Sequence, residues 1–256
     1  MKPQIKIDVV SDVVCPWCYI GKRRLEKAIA QLQDDYTVKV NYLPFQLSPD
    51  TPTEGENTKE RLSAKFGGED RYFQVLRQVT SVAAEEGLQF NLENQAVSPN
   101  TRRLHRLVWY AQQQGKQLPM VEALFKAYFE DAVNLADVEN IVSLAEKVGL
   151  DATSVRELMT SDRGEQEVEQ LLYQNHLMGV SAVPYYIINE KYAVSGAQPT
   201  ALFLQALPDI ALKAPIAVAA GETCDLSLGE TSFHHARAIH HHTRPKSEAI
   251  VSKSWR

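Results

Sequence analysis

Cysteine is scarce in this sequence, with 3 residues among 256. A small, odd number of thiols does not fit the disulfide framework that stabilises small secreted proteins. Two of the three, Cys15 and Cys18, are separated by only two residues, and Cys224 lies far from them in the chain. The scarcity therefore favours a reducing compartment and indicates that the thiols serve chemistry rather than structure.

An excess of positive charge is absent as well. The formal net charge is −5 and the isoelectric point is near 5.8, so the chain lacks the basic character typical of nucleic-acid-binding proteins. No apolar run is long enough to cross a bilayer, and Asp8 and Asp12 interrupt the first apolar segment before it reaches the length of a signal peptide. We expect a cytoplasmic protein with no nucleic-acid or membrane partner; the oligomeric state is left open.

The first fifty residues predict one βαβ unit. The β-branched run IKIDVV (5–10) predicts a buried strand, and an apolar stripe with helical spacing follows Pro16. The segment YTVKVNYLPFQL (36–47) alternates apolar and polar residues and predicts a second strand. The two strands should be parallel, with a right-handed crossover through the helix.

The rest of the chain predicts a thioredoxin-like α/β fold with a large helical insertion. Apolar residues recur at helical spacing almost throughout 51–179, whereas 184–196 predicts a β-hairpin turning at Asn189 and Glu190. A helix then follows Pro199, giving the order β-α-β, insertion, β-β-α. We therefore predict a thioredoxin-like domain (1–50 and 180–208), a helical insertion domain (51–179) and an extended C-terminal tail (209–256).

The stretch SDVVCPWCYIGKRRLEKA (11–28) places two cysteines where a strand gives way to a helix. Pro16 suits the first helical position, so Cys15 should lie at the positive end of the helix, which favours the thiolate that attacks disulfides. Cys18 lies one turn further on, within disulfide distance. We expect an exposed, attacking Cys15 and a shielded, resolving Cys18, with the net direction of exchange left open.

Two other interpretations of the pair remain open. A zinc site would need two more ligands, and the predicted folded part contains no second Cys-x-x-Cys and no His-x-x-x-His pair. A structural disulfide between Cys15 and Cys18 would close so short a loop that it would constrain little of the unfolded chain. Neither alternative accounts for the position of the pair as well as redox chemistry does.

A proline in GVSAVPYYII complements the pair. Pro184 opens the predicted strand that runs opposite the cysteines in a thioredoxin topology. Only about one X-Pro bond in twenty is cis in folded proteins, but this position raises our expectation of a cis bond well above that rate. A cis bond would turn the backbone of Val183 outward, where it can pair with an extended substrate segment.

Five segments together resemble the DsbA-like thioredoxin-fold family, and within it the FrnE-like branch of dithiol-disulfide oxidoreductases or isomerases. They are CPWCYIGKRRLEKA, YLPFQLSP, NTRRLHRL, GVSAVPYYII and SGAQP, which run over about 5–207. The third departs from the family pattern, because Leu104 replaces an alanine. The resemblance implies that Cys15 is the nucleophile, Cys18 the resolving thiol and Pro184 the cis-proline. From their positions next to the pair, we expect Pro16, Trp17, Val183 and Pro184 to bind substrate.

The same superfamily contains kappa-type glutathione transferases and 2-hydroxychromene-2-carboxylate isomerases, which resemble this chain but carry serine at the first cysteine position. Retention of both Cys15 and Cys18 favours redox chemistry. We predict a thiol-disulfide oxidoreductase or isomerase that acts on protein or glutathione disulfides, with no metal and no tightly bound cofactor, and with glutathione as a candidate redox partner. The alternatives are a glutathione-dependent transferase or isomerase, and a metal-binding module built from the two cysteines and tail histidines.

Weaker candidates lie outside the pair. His105 in NTRRLHRL faces the active-site cleft by the resemblance, but a surface or half-buried structural histidine fits the pattern equally well. Cys224 is either a bystander or a second resolving thiol. Five tail histidines have the composition of a metal-binding segment but predict no fixed geometry: His234, His235, His240, His241 and His242.

Overall fold

The computed structural model describes residues 2–213 and 248–249. Its strands are β1 (Gln4–Ser11), β2 (Thr37–Pro44), β3 (Glu56–Asn57), β4 (Val97–Ser98), β5 (Tyr185–Ile188), β6 (Tyr192–Ser195) and β7 (Glu248–Ala249). Its α-helices are α1 (Pro16–Leu32), α2 (Thr58–Phe66), α3 (Glu69–Glu85), α4 (Arg102–Gln113), α5 (Gln117–Phe129), α6 (Val138–Lys147), α7 (Ala152–Thr160), α8 (Glu165–Leu177) and α9 (Thr200–Leu212). Five strands form the main sheet in the order β2-β1-β5-β6-β7, and β3 pairs with β4 separately.

The N-terminal strands form the predicted βαβ unit. β1 and β2 are parallel, with Ile7 opposite Val40 and Val9 opposite Tyr42. Ile7 and Val9 are buried, and they share a face of β1 because side chains two residues apart point to the same side of a strand. The connection between the strands is α1, whose first residue is Pro16. The cysteine pair therefore lies at the carboxyl end of the central strand β1.

The second half of the main sheet is antiparallel. β5 pairs with β1 and with β6 in antiparallel register, so Val9 lies opposite Tyr186. Three residues connect β5 to β6, and the first two, Asn189 and Glu190, both have positive φ (50° and 59°). They form the centre of a turn that the Lys191 N–H closes onto the Ile188 carbonyl at 3.2 Å. β7 continues the sheet parallel to β6.

Helix α1 approaches β5 very closely at one point. A Cβ atom on Gly21 would lie 2.2 Å from the hydroxyl oxygen of Tyr186 and 3.2 Å from Cγ of Pro184. No larger residue fits there without a shift, so the glycine sets the distance between the helix and the strand. On the same side of the sheet, the Tyr186 ring contacts Phe203 of α9 edge-to-face, with the ring centroids 5.0 Å apart.

The inserted segment shares one hydrophobic core with the rest of the chain. That core includes Ile7 and Ile20 from the thioredoxin-like part together with Phe125 and Leu158 from α5 and α7. Tyr19 of α1 stacks on Phe125, with the ring centroids 5.1 Å apart. The predicted helical insertion is confirmed, but it also contains the two-residue strands β3 and β4, which are too short to give a periodic pattern.

A side chain of α5 pairs with the edge of β2. The Gln117 amide accepts a hydrogen bond from the Tyr42 N–H at 2.9 Å and donates one to the Tyr42 carbonyl at 3.0 Å. Both residues are buried. The side chain thus forms the two hydrogen bonds that a neighbouring strand would form at this position.

The predicted boundary between the thioredoxin-like domain and the tail falls inside a helix. α9 continues to Leu212 through Pro208, so residues 209–212 are helical rather than extended. The sequence-based prediction ended the helix at the proline, which normally breaks a helix. Ile210 is buried together with Phe203 and Leu207, and this packing carries the helix past the proline.

The α/β thioredoxin-like fold with a helical insertion is confirmed. No helix in the described ranges has both the length and the apolar character needed to span a bilayer. Cys224 and the tail histidines (His234, His235, His240, His241 and His242) lie outside the described residues.

Candidate active site

Cys15 occupies the N-cap of α1, directly after a tight turn. Its N–H donates to the Asp12 carbonyl at 3.1 Å, and its own carbonyl accepts from the Cys18 N–H at 3.0 Å. Pro16 follows at the first helical position, where its missing N–H leaves no hydrogen bond unmade. Because the first turn contains no acidic side chain, the helix end favours negative charge at the Cys15 sulfur.

Both cysteines are reduced and buried. Cys15 is 4% exposed and Cys18 is 2% exposed, so the expectation of an exposed attacking thiol is wrong. The Cys15 thiol donates to the Val183 carbonyl at 3.7 Å, and this backbone covers the sulfur. Trp17, between the cysteines, is exposed instead.

The environment of Cys18 keeps its proton on the sulfur. Burial raises the pKa of the Cys18 thiol well above its ordinary value, and the neighbouring Cys15 raises it further. The Ser11 hydroxyl and the Asp12 N–H lower this pKa, but to a smaller extent. A thiolate in disulfide exchange must be deprotonated, so Cys18 is suited to react second, when a disulfide is presented next to it.

The Val183–Pro184 segment lies over the attacking thiol. The peptide bond between these residues is cis, and Pro184 is buried. The Pro184 carbonyl accepts a hydrogen bond from the Gly196 N–H at 2.8 Å, which ties the start of β5 to the end of β6. This arrangement brings Val183 and Pro184 together with Cys15, as the sequence analysis places them.

His105 lies behind the cysteine turn rather than in an open cleft. It is buried on the first turn of α4, with Nε2 2.7 Å from the Phe45 carbonyl oxygen and 3.3 Å from Asp12 Oδ1. The other carboxylate oxygen of Asp12 accepts from the Leu47 N–H at 2.8 Å. Of the two weaker candidates, His105 is therefore in contact with the segment that carries Cys15, and Cys224 is outside the described residues.

Three residues near the pair were not identified as candidates from the sequence. In the sequence, Asp12 stands out only as a charge that interrupts the first apolar segment, and no motif marks Ser11 or Asp12 as neighbours of Cys18. Tyr186 has a fully buried hydroxyl that finds no hydrogen-bond partner among the described residues. Burial raises its pKa well above the ordinary value, and Cys18 and Cys15 raise it further. The close glycine approach in α1 is the one signal that could have drawn attention to Tyr186.

Exposed apolar side chains lie on three segments: the start of α1, the stretch after β2 and the end of α8. Trp17 and Leu47 are exposed, and Leu177 and Met178 are exposed at the end of α8, shortly before Val183. Asn175 ties this end of α8 to β2 through a hydrogen bond to the Pro44 carbonyl at 2.8 Å. These four apolar residues, here called the apolar rim, therefore lie on segments that meet at the cysteine turn.

The described residues contain no group of three or more His, Cys, Asp and Glu side chains arranged to hold a metal ion. The metal-binding alternative would combine Cys15 and Cys18 with tail histidines, which are outside those residues.

Comparison with known proteins identifies the family. The model of the DSBA-like thioredoxin domain matches residues 6–208, which is most of the chain. The chain belongs to this family. The matched range contains Cys15, Cys18 and Pro184, and it ends before the residues that the structure leaves undescribed.

Individual relatives agree with the family assignment. The protein YwbO of Bacillus subtilis (strain 168) is 26% identical over 207 residues, covering 80% of this chain and 96% of YwbO. The crystal structure of a probable DsbA oxidoreductase, SCO1869 from Streptomyces coelicolor, is 30% identical with a TM-score of 0.78, covering 87% of this chain and 97% of that one.

A more distant structure shares the fold. The cytosolic disulfide reductase DsbM from Pseudomonas aeruginosa, solved with GSH, is 13% identical with a TM-score of 0.56, covering 81% of this chain and 96% of that one. At this identity the similarity concerns the fold alone. Together, the family model and the probable oxidoreductase place this chain in the DsbA-like family of thiol-disulfide oxidoreductases.

Proposed function

We propose that the protein is a thiol-disulfide oxidoreductase or isomerase of the FrnE-like branch, acting through a mixed disulfide on Cys15. The observation that carries the proposal is the asymmetry of the pair. Cys15 lies at the helix N-terminus beneath the Val183 carbonyl, whereas burial holds the proton on Cys18 one turn further on. Two thiols with different tendencies to ionise are what a two-step exchange requires.

The reaction follows from the positions of the two sulfurs. The Cys15 thiolate attacks one sulfur of a substrate disulfide, and the other substrate sulfur leaves as a thiolate that takes up a proton. Cys18 then loses its proton and attacks Cys15, which releases the second substrate thiol and leaves a Cys15–Cys18 disulfide. Two electrons pass from the pair to the substrate, and the reverse sequence oxidises a dithiol.

Protein disulfides are the substrates that the surroundings of Cys15 favour. The apolar rim offers contact area to an extended polypeptide. In this proposal the backbone of Val183, which contacts the Cys15 thiol, pairs with that polypeptide as an added strand. Glutathione is the proposed partner that returns the pair to its starting redox state, in line with the distant relative that was solved with GSH. A reducing cytoplasm is the proposed location, which agrees with the scarcity of cysteine.

The decisive experiment is a redox titration with glutathione. Thiols are trapped with a mass-shifting alkylating reagent at each ratio of reduced to oxidised glutathione and located by peptide mapping. We expect Cys15 and Cys18 to convert together as a two-electron couple. In a Cys18→Ser variant, Cys15 should accumulate as a mixed disulfide with substrate, whereas the Cys15→Ser variant should form none.

Two results would contradict the proposal in different ways. If Cys15 stays singly glutathionylated while Cys18 remains reduced, and turnover survives Cys18→Ser, the site serves a glutathione-dependent transferase or isomerase. If both thiols resist oxidation and the protein purifies with stoichiometric zinc in the absence of metal affinity steps, the pair is a metal ligand set.

A further inference from the structure

A buried carboxylate lies directly before the cysteine pair. Asp12 has no exposed surface, and a buried charge is unfavourable unless hydrogen-bond donors surround it. Its side chain accepts from the Leu47 N–H at 2.8 Å and faces His105 Nε2 at 3.3 Å, while its main-chain carbonyl accepts from the Cys15 N–H at 3.1 Å. Asp12 therefore joins the cysteine turn, the segment after β2 and helix α4.

The histidine in this cluster is a donor. Nε2 of His105 lies 2.7 Å from the carbonyl oxygen of Phe45, which has no hydrogen to give, so the hydrogen must be on Nε2. The same N–H faces Asp12 and is shared between the two acceptors. The His105 main-chain N–H is bonded to the Thr101 carbonyl at 2.9 Å, so the start of α4 sets the position of the ring.

We propose that His105 and Asp12 are positioning residues for Cys15. His105 fixes the Asp12 carboxylate, and Asp12 holds the turn that presents the Cys15 thiol. The negative charge of Asp12, three residues before Cys15, destabilises the Cys15 thiolate by repulsion. Hydrogen bonds from the N–H groups of Leu47 and His105 stabilise the carboxylate charge and so reduce this repulsion. The reactivity of Cys15 is thus set in part from α4, within the helical insertion.

Four other titratable groups are neighbours of this cluster or of the cysteines beside it. Cys15 and Cys18 lie at the start of α1, Tyr128 of α5 is influenced by Asp12, and Tyr186 of β5 is influenced by the two cysteines. Burial raises the pKa of Tyr128 to about 12, with Asp12 among the smaller causes. Burial also raises the pKa of Tyr186 well above its ordinary value. Both tyrosines stay neutral in the working pH range, so the carboxylate and its histidine donor are the groups to vary.

The test is the rate of Cys15 alkylation as a function of pH, in a protein carrying Cys18→Ser and Cys224→Ser. Asp12→Asn removes the charge and keeps an acceptor for Leu47, so the midpoint of the curve should move to lower pH. His105→Leu removes a donor from a carboxylate that Leu47 still holds, so the midpoint should move to higher pH. The alkylation rate of this second variant at neutral pH should fall about 3- to 10-fold.

A rescue variant and a double variant distinguish a positioning role of His105 from a simple loss of packing at that residue. His105→Gln keeps an N–H at similar reach and should restore the wild-type curve. In the Asp12→Asn background, His105→Leu should have no further effect on the midpoint, because the charge on which it acts is gone. His176→Gln, an exposed position on α8, is the matched control and should leave the curve unchanged.

The proposal is overturned if His105→Leu leaves the midpoint in place, or if it moves the midpoint in the same direction as Asp12→Asn. Should His105→Leu fail to fold, His105→Asn replaces it, because its shorter amide does not reach Phe45 and Asp12. The proposal rests on the proposed function for the role of Cys15 as attacking thiol. Because alkylation needs no disulfide substrate, a failed exchange reaction and a failed positioning role would be seen separately.

Discussion

The contact between Gly21 and Tyr186 shows how one missing side chain shapes the site. The helix carrying both cysteines lies against β5, the strand that begins just after Pro184, and a Cβ on Gly21 would meet the Tyr186 hydroxyl at 2.2 Å. The absence of a methyl group therefore fixes how far the cysteine pair lies from the strand opposite it.

Gly21→Ala should destabilise the protein although alanine is normally the better helix residue. The helical preference of alanine contributes up to about 1 kcal/mol, whereas overpacking in a tight core costs about 1–3 kcal/mol. We expect a net loss of about 1–2 kcal/mol in the free energy of unfolding, measured in urea.

A Tyr186→Phe background supplies the control for this prediction. This background lacks the hydroxyl that the new methyl group would meet. In the wild type that hydroxyl is buried and finds no hydrogen-bond partner among the described residues, so its removal should cost little stability. Gly21→Ala should be far less destabilising in this background. An equal loss in both backgrounds would mean that Pro184, not the hydroxyl, limits the space.

Functional residues are predictable from the sequence where the residues that act together are close in the chain. Cys15 and Cys18 stand one helical turn apart, and this spacing together with their position between a predicted strand and a predicted helix indicates a reactive pair. Asp12 and His105 meet across 93 positions, and no short pattern records such a contact. Burial of Cys15 is likewise not predictable from a local pattern, because the backbone of Val183 that contacts it lies 168 positions further along the chain.

At the scale of elements, a charged cluster joins α1 to α5. Glu122 of α5 accepts hydrogen bonds from Lys22, from Arg23 and, at 2.9 Å, from the Tyr19 hydroxyl. Burial alone would raise the pKa of Glu122, but the hydrogen bonds from Arg23 and Lys22 outweigh it and hold the pKa at about 2. The helix that carries the cysteines is thereby attached to the insertion.

Glu122→Gln should lower the free energy of unfolding at neutral pH by about 1–2 kcal/mol, a value kept modest because the side chain is partly exposed to solvent. The pKa of Glu122 is depressed from 4.5 to about 2, so its contribution is fully present above 4.5 and is lost as the pH falls through about 2. The stability difference between the two proteins should shrink over this range.

Glu139→Gln is the comparison for this measurement. Glu139 pairs with Arg156 at 2.7 Å on an exposed surface, where water screens the charges. The substitution should change stability less than Glu122→Gln does. If the difference in free energy of unfolding between wild type and Glu122→Gln does not change with pH, Glu122 does not form the stabilising ion pairs with Lys22 and Arg23 that the distances indicate.

The edge of β2 provides a second prediction at this scale. Gln117→Ala leaves the N–H and the carbonyl of Tyr42 without their partners, which should cost about 2–3 kcal/mol of stability. Hydrogen exchange at the Tyr42 amide should accelerate more than exchange at amides of the central strand β1. Unchanged protection at Tyr42 would mean that this edge does not depend on the glutamine.

The sequence predicts the long helices and strands, but it does not predict where all of them end. The β-branched run of β1, the alternation of apolar residues in β2 and the helical spacing of apolar residues elsewhere predict these elements from the sequence. The ladder of β3 and β4 is two residues long, and helix α9 continues through a proline because Ile210 is buried beyond it. These details depend on tertiary contacts, which outweigh local propensity.

At the scale of the whole molecule, the insertion and the thioredoxin-like part share one core. Tyr19 lies at the centre of this core, stacked on Phe125 of the insertion. Removing residues 51–179 would expose this surface, so we do not expect the remaining chain to fold alone. The sequence predicted the two parts, but their joint core depends on contacts between distant segments.

The shared core predicts a single cooperative unfolding transition. Trp17 reports on the thioredoxin-like part and Trp109 on the insertion. Variants retaining only one of the two, with Trp255 also replaced by Phe, allow each part to be followed by fluorescence. We expect equal midpoints in urea for the two variants, after correction for the stability change that each Trp→Phe replacement causes. Separate transitions would show that the parts unfold independently.

The hydrogen bonds from Gln117 of α5 to the edge of β2 matter for the proposed activity, because that activity carries a risk of aggregation. A protein that handles the disulfides of incompletely folded chains repeatedly meets extended segments in search of a pairing partner. An open sheet edge would accept such segments, and clients could then accumulate on the enzyme as aggregates. With the backbone of Tyr42 already hydrogen-bonded, β2 is closed to such segments at this point.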